Sequence, residues 1–336
     1  FEDDYLTYTE SLKMTVHDTD GIGFAAEMGM GHPTTGIANR LTYAPKPQNN
    51  IFDYLFYMAH GMKAWNWYML VDRDGWVCAA VDQFGEETQY APSIREALKV
   101  ADAIDVSRLE SLKACSLITH KGHRFTDSGN WNRVFNALRD ADLDFDLVDP
   151  AAKTPEAPLA FYGGAQWLPR AAAETLRAYV EGGGTLVCFN QVPAQDEFGD
   201  PLNLFDLPDP DMVRPVNIPF SIRCGNEDEP IESGGHNGNK VFLIGYRAVP
   251  EEAEPIEAFL SSKARDELVD IGLPEGERKS FRIGFRRKLG RGRVVVLGIN
   301  PAPRIAEFAR RLGGHSFIAR TDAPNVQTHA WQGTDG

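Results

Sequence analysis

The sequence predicts an α/β protein with parallel strands. Helical and strand-like patterns alternate along residues 1–105 in the order α-β-α-β-α, and a second αβ series starts at residue 106. Such alternation is the repeat unit of a parallel barrel or a doubly wound sheet. Residues 195–280 interrupt the second series with Asp-, Glu- and Pro-rich sequence and scattered β-runs, which reads as an insertion, and the αβ pattern then resumes.

The elements follow in order. "YLTYTESLKMTV" reads as a helix and "GIGFAAEM" as a strand. "NNIFDYLFYMAHGMK" reads as a helix with Asn49 or Asn50 as N-cap and Gly61 near its end. "AWNWYMLV" is an aromatic-rich strand. "SIREALKVADAI" is an amphipathic helix with a capping-box pattern, Ser93 and Glu96. In the second series "LKACSLITH", "DFDLVD", "APLAFYGG" and "TLVCFN" are strands. "NWNRVFNALRDADL" and "LPRAAAETLRAYVEGGG" are the helices between them, the latter with Pro169 early and Gly182–Gly184 at its end. "KVFLIGYRAV" is a β-run of the insertion. "GRVVVLGI" and the helix "PRIAEFARRLGG" resume the series, and "PNVQTHAWQG" is a last strand.

Composition narrows the function classes. With 34 basic and 48 acidic residues the net charge is −14, which argues against a nucleic-acid partner and suits a neutral or cationic ligand. No apolar run reaches the ~18 residues that cross a membrane, and no basic segment followed by an apolar one opens the chain. Cys78, Cys115, Cys188 and Cys224 lie far apart with no CxxC pair. That spacing opposes a zinc site or disulfide framework and favours a reducing, cytoplasmic setting.

Three local patterns invite a chemical reading. The glycines 182–184 follow a helix and precede a strand, the reverse of a phosphate loop, so they read as a C-cap. His120 and His123 share a strand end but lack a third ligand at suggestive spacing. In "AWNWYMLVDRDGW", Trp65, Trp67, Tyr68 and Trp76 crowd around Asp72, Arg73 and Asp74. Trp65 reads as core. The rest offers aromatic faces beside fixed charges, which is what the C–H faces and hydroxyls of a pyranose ring require. One acid, Glu27, ends an apolar run and is followed by Gly29 and Gly31.

"FAAEMGMGH", "AHGMKAWNWYMLVDRDGW" and "VDQFGEETQYAPSIREAL", in that order, resemble the last quarter of the barrel in family 35 and 42 glycoside hydrolases. These are the β-galactosidases and the related archaeal exo-β-D-glucosaminidases. Ala59, His60, Gly61, Lys63, Asn66, Tyr68 and Met69 match the family's eighth-strand segment, while Ala64 and Trp67 replace its usual glycine and tyrosine. The zone from residue 106 resembles a class I glutamine amidotransferase (flavodoxin-like) domain, which in family 42 mediates oligomerisation. The turn "FYGGAQWLP" lacks the nucleophilic Cys of an active amidotransferase, and Cys115 and Cys188 read as core.

The resemblance implies strands seven and eight of a (β/α)8 TIM barrel in residues 1–105. It implies an amidotransferase-like middle domain in 106–315 and the start of a truncated β domain in 316–336. It implies an exo-acting retaining β-glycosidase acting on terminal galactose or glucosamine, with no cofactor or metal. Glu27 matches the nucleophile, at a strand end as in other TIM barrels, with Gly29 and Gly31 letting the sugar approach. Trp67, Tyr68, Asp72, Arg73 and Trp76 would bind substrate. The general acid/base has no match, since Glu10, Glu86 and Glu87 lie in no corresponding motif. The expected partners are therefore an oligosaccharide substrate, a remaining segment carrying barrel strands one to six, and further copies of the chain. No nucleic acid and no membrane are expected. The chain reads as an internal fragment of a longer enzyme or one piece of a split one. A non-catalytic carbohydrate-binding or assembly fragment of the same architecture is the alternative. A free-standing amidotransferase-like enzyme is the third reading, weakened by the missing Cys.

Overall fold

The computed structural model describes residues 2–17, 22–33, 46–126, 128–190, 192–216, 220–231, 241–260, 280–321 and 326–333. The chain divides into two compact units, Phe1–Leu112 with His329–Gly336, and Lys113–Thr328.

Unit 1 holds helices α1 (Glu2–His17), α2 (Pro47–Ala59) and α3 (Ala91–Ile104). Strands β1 (Phe24–Gly29) and β3 (Ala64–Tyr68) pair in parallel, as the alternating pattern predicts. Two short strands, β2 (His32–Pro33) and β4 (Trp76–Val77), pair antiparallel beyond their carboxyl ends. β5 (Leu109–Leu112) pairs antiparallel with the last strand, β17 (Ala330–Gly333), the tail expected to open a further β domain.

Two helix starts differ from expectation. α2 begins at Pro47 with Lys46 as N-cap, and the expected cap Asn49 instead accepts a hydrogen bond from the Lys46 amide at 2.8 Å. α3 begins at Ala91 with Tyr90 as N-cap, and the expected cap Ser93 is buried in the first turn. Its hydroxyl donates to the Tyr90 carbonyl at 2.7 Å and accepts from Asn50 Nδ2 at 3.1 Å, which ties α3 to α2. Proline in the first turn explains both shifts, because its fixed φ suits a helix start and its missing N–H costs nothing there.

Among the described residues, unit 2 is a mixed sheet of nine strands flanked by helices. β6 (Cys115–Ile118), β7 (Phe145–Val148), β8 (Leu159–Tyr162), β9 (Thr185–Phe189) and β16 (Gly292–Leu297) lie parallel in the order β7-β6-β8-β9-β16. The stretch read as an insertion does not stand apart from this sheet. Its β11 (Phe220–Cys224), β12 (Glu227–Ile231) and β14 (Glu254–Leu260), with β15 (Ser280–Leu289), extend the sheet antiparallel beyond β16. β10 (Met212–Val216) and β13 (Val241–Gly245) form a separate antiparallel pair.

Period-two alternation sends successive residues of these buried strands to opposite faces. Ala160, Leu186, Cys188, Val294 and Val296 pack with Leu176 and Val180 of α6 (Arg170–Glu181). On the other face Phe145 meets Phe135 of α5 (Ser128–Asp140) edge-on at 5.1 Å, and Phe161 stacks on Phe189 at 6.0 Å. α5 packs in turn on α7 (Pro303–Gly313). The short α4 (Lys121–Thr126) follows β6. Each fully buried Leu, Val or Phe is worth about 1.5–3 kcal/mol over its exposed state, so these two layers are the main source of unit 2's stability.

Candidate functional site

The candidate site lies at the carboxyl ends of β1 and β3. Ala25 pairs with Trp65, and Met28 with Trp67, so Ala26 and Glu27 together oppose the single residue Asn66. This is a β-bulge, an extra residue that kinks a strand and re-aims its side chains.

Alternation then gives the pair two unlike faces. Trp65 meets Tyr54 of α2 edge-on at 4.7 Å. Met28 is buried, and Trp67 packs on a cluster of Met30, Ala80, Ala91 and Ile94. Ala25, Trp65, Met28 and Trp67 therefore form the covered face. Phe24, Glu27, Asn66 and Tyr68 are on the other face, and all four are exposed. Glu27 and Tyr68 share this open face, and Gly29, the direct partner of Tyr68, lies two residues beyond Glu27.

The pairing runs past the strands through Met30 N to Tyr68 O at 2.7 Å and Met69 N to Met30 O at 3.2 Å. Trp76 Nε1 donates to Met30 O at 2.7 Å, and its ring meets Tyr68 edge-on at 5.6 Å. Arg73 donates to the Tyr68 hydroxyl at 3.3 Å. Arg73 and Trp76 exchange backbone hydrogen bonds at 3.0 and 2.9 Å across a tight turn, which Gly75 permits with φ +78. Asp72 Oδ1 accepts from the Ala79 amide at 2.7 Å, fixing the return of the loop.

The structure thus brings Tyr68, Arg73 and Trp76 together at the strand ends on which Glu27 sits. Asp72 belongs to the same loop, with one carboxylate oxygen committed to its own backbone. Trp67 is on the covered face, because alternation turns it away from Tyr68. Gly31 also differs from expectation. Its φ is +80, and a Cβ there would lie 2.6 Å from both Trp76 Nε1 and Val77 O, so protein fills the space expected for a sugar. Among the described residues nothing lies within 4 Å of a Cβ at Gly29.

No protein-family model and no curated protein sequence matches the chain. Solved structures do match. A β-galactosidase from Rahnella sp. R3 superposes with a TM-score of 0.64 at 13% identity, over 96% of this chain and 49% of that one. A GH42 β-galactosidase from G. stearothermophilus gives 0.61 at 10% identity, over 94% and 47%. An exo-β-1,4-mannosidase from Opitutaceae bacterium strain TAV5 gives 0.54 at 14% identity, over 91% and 53%. The chain has a mixed α/β fold shared with these proteins, and it spans about half the length of the galactosidase chains.

The secondary candidates are occupied otherwise. His123 Nε2 donates to the Trp167 carbonyl at 2.6 Å, and His120 Nδ1 lies 3.3 Å from Asp149 Oδ2. Among the described residues no group of three or more His, Cys, Asp or Glu could hold a metal ion. Cys115 and Cys188 are fully buried, and burial pushes the Cys188 thiol above its ordinary range, so it holds no thiolate at neutral pH. The turn after β8 is Gly163–Gly164, and a Cβ on Gly164 would collide with the His123 ring. Among the described residues no helix is long and apolar enough to cross a membrane.

Proposed function

We propose that this chain is part of an exo-acting retaining β-glycosidase that releases terminal β-linked galactose or glucosamine, with Glu27 as nucleophile. The observation that carries the reading is the position of Glu27. It is an exposed carboxylate, turned out by a bulge on the open face of two parallel strands, with Tyr68, Arg73 and Trp76 at their carboxyl ends.

In this reading β1 and β3 are the seventh and eighth strands of a TIM barrel, and unit 2 is the amidotransferase-like domain. The open face of the pair, with Phe24 48% and Tyr68 38% exposed, is the barrel's inner wall. The paired acid/base comes from barrel strands outside these residues, about 5–5.5 Å from Glu27 as retention requires. The Glu27 carboxylate attacks the anomeric carbon while that acid protonates the departing oxygen. The glycosyl ester so formed is hydrolysed by water, which the same residue, now a base, deprotonates. Arg73 holds the Tyr68 hydroxyl, and the rings of Tyr68 and Trp76 offer apolar faces to the sugar.

The test is covalent trapping in the enzyme that carries the complete barrel. A 2-deoxy-2-fluoro glycoside with an activated leaving group should label the peptide containing Glu27. A label on a different carboxylate removes Glu27 from the nucleophile's role.

A further inference from the structure

Unit 2 contains a cavity of about 600 Å³ at the carboxyl edge of its parallel strands. Gln166 follows β8, Asn190 follows β9 and Tyr246 follows β13; Asn203, Phe205 and Asp209 complete its chemically informative walls. The volume falls within the roughly 300–1,000 Å³ of small-molecule sites. Open α/β sheets bind ligands outside the carboxyl ends of their strands.

Two side chains there are held ready without a protein partner for every polar group. Tyr246 is 96% buried, its exposure being 4%, and its ring is fixed edge-on to Phe285 at 5.6 Å. Its hydroxyl makes no hydrogen bond among the described residues, yet it is not sealed from accessible space. Burial, then the nearby Cys188 and Asp209, push its ionisation above the usual tyrosine range, so the hydroxyl keeps its proton to donate. Asn190 sits at φ +63, a conformation uncommon for residues other than glycine. Its Nδ2 is engaged with Asn300 Oδ1 at 2.8 Å and Asn130 Oδ1 at 3.5 Å, which leaves its carbonyl oxygen as an oriented acceptor. A hydroxyl that reaches accessible space from a residue otherwise so buried is a donor that a ligand in the cavity can use.

The lining selects the ligand's chemistry. Among the described residues no Lys, Arg or His lines the cavity, so the described walls offer no cation of the kind a phosphate or carboxylate needs. Asp211 is compensated by Arg247 at 3.4 Å, leaving Asp209 as an acceptor for hydroxyl groups. The partly buried Leu202, Leu207 and Ile244 supply apolar surface beside the carboxamides of Gln166, Asn190 and Asn203, a combination that suits hydroxyls set around an apolar ring. We propose that this cavity binds a neutral pyranoside, making unit 2 a sugar-binding module. The proposal does not depend on Glu27 or on the barrel reading of unit 1.

The test is a methyl-resolved NMR titration of the full chain with methyl β-D-galactopyranoside, with galacturonate as the anionic counterpart. The methyls of Ile244 and Leu202, which line the cavity, should shift saturably with the neutral sugar. Tyr246→Phe keeps the ring and removes the donor, and should weaken this binding about fivefold. Ala194→Trp fills the exposed wall and should abolish it. Unmoved cavity methyls, equal affinity in both variants, or tighter binding of galacturonate would each overturn the proposal. Unit 1 methyls report independently on sugar at the Glu27 face, so the two readings can fail separately.

Discussion

The indole of Trp76 occupies the space that a side chain on Gly31 would need. A Cβ at residue 31 would stand 2.6 Å from Trp76 Nε1, and that nitrogen is itself hydrogen-bonded to Met30 O at 2.7 Å. The loop carrying Arg73 and Trp76 is thereby docked on the end of β1. Gly31→Ala adds a left-handed backbone penalty of about 1–2 kcal/mol and an overpacking penalty of similar size. We expect a loss of about 2–4 kcal/mol in urea denaturation. Gly29→Ala, whose Cβ meets no described residue, should stay within about 0.5 kcal/mol.

Glu27→Gln keeps the shape of the side chain and removes its charge. In the enzyme with a complete barrel, kcat should fall at least ~10³-fold, equivalent to about 4 kcal/mol of barrier. KM should change far less. Azide should partly restore turnover of an activated aryl β-glycoside and give an α-glycosyl azide. The melting temperature should hold, since an exposed amide replaces an exposed carboxylate. Near-normal kcat would exclude Glu27 as nucleophile, and a collapsed melt would make it a structural residue.

Asp72 tests whether its role is to hold the loop. Asp72→Ala orphans the buried Ala79 amide and should cost about 1–3 kcal/mol, with faster hydrogen exchange at Ala79. Asp72→Asn retains a carbonyl acceptor and should recover most of both. If Asn behaves like Ala, the charge on Asp72 matters more than the bond to Ala79.

Asp196 gives unit 2 an acid limb. Burial alone would raise its ionisation. The Arg170 hydrogen bond at 2.6 Å and the amides of Phe198 and Asp200 at 3.0 and 2.9 Å outweigh it, so the folded carboxyl titrates below its usual range. A depressed folded value means that the stabilisation is full above the unfolded value of about 3.9 and is lost as pH falls through the folded one. Asp196→Asn should lower the melting temperature at pH 7 and flatten its decline below about pH 4. An unchanged acid limb in the variant would reject the assignment.

Much of this architecture is legible locally. The alternation that predicts parallel strands at 24–29 and 64–68 survives folding, because apolar runs and helix stops act over a few residues. Trp65, read as core, is partly buried and meets the buried Tyr54 edge-on. The bulge at Ala26–Glu27 is invisible in the chain, since it exists only relative to the register of Asn66. The same bulge decides which side Glu27 faces. Reading Gly31 as an opening for substrate failed for a similar reason: its neighbour Trp76 is distant in sequence. The signals that were available but outranked lie in Pro47 and Pro92, which moved the starts of α2 and α3 upstream of the polar cap candidates. β11 and β14 join the main sheet through long-range pairing, which composition cannot announce.

The pairing of β17 with β5 sets an order of events for the nascent chain. Leu112 faces Ala330 across that ladder, so unit 2 departs from and returns to unit 1 at adjoining points. Before unit 2 has folded, joining these strands must close a long flexible loop, whose entropic cost grows with the logarithm of its length. Once unit 2 is compact, its own structure holds the two ends and most of that cost is already met. Among the described strand pairs this one spans the largest sequence separation, so β17 should join late, and β5 lacks that partner until residues 330–333 have left the ribosome.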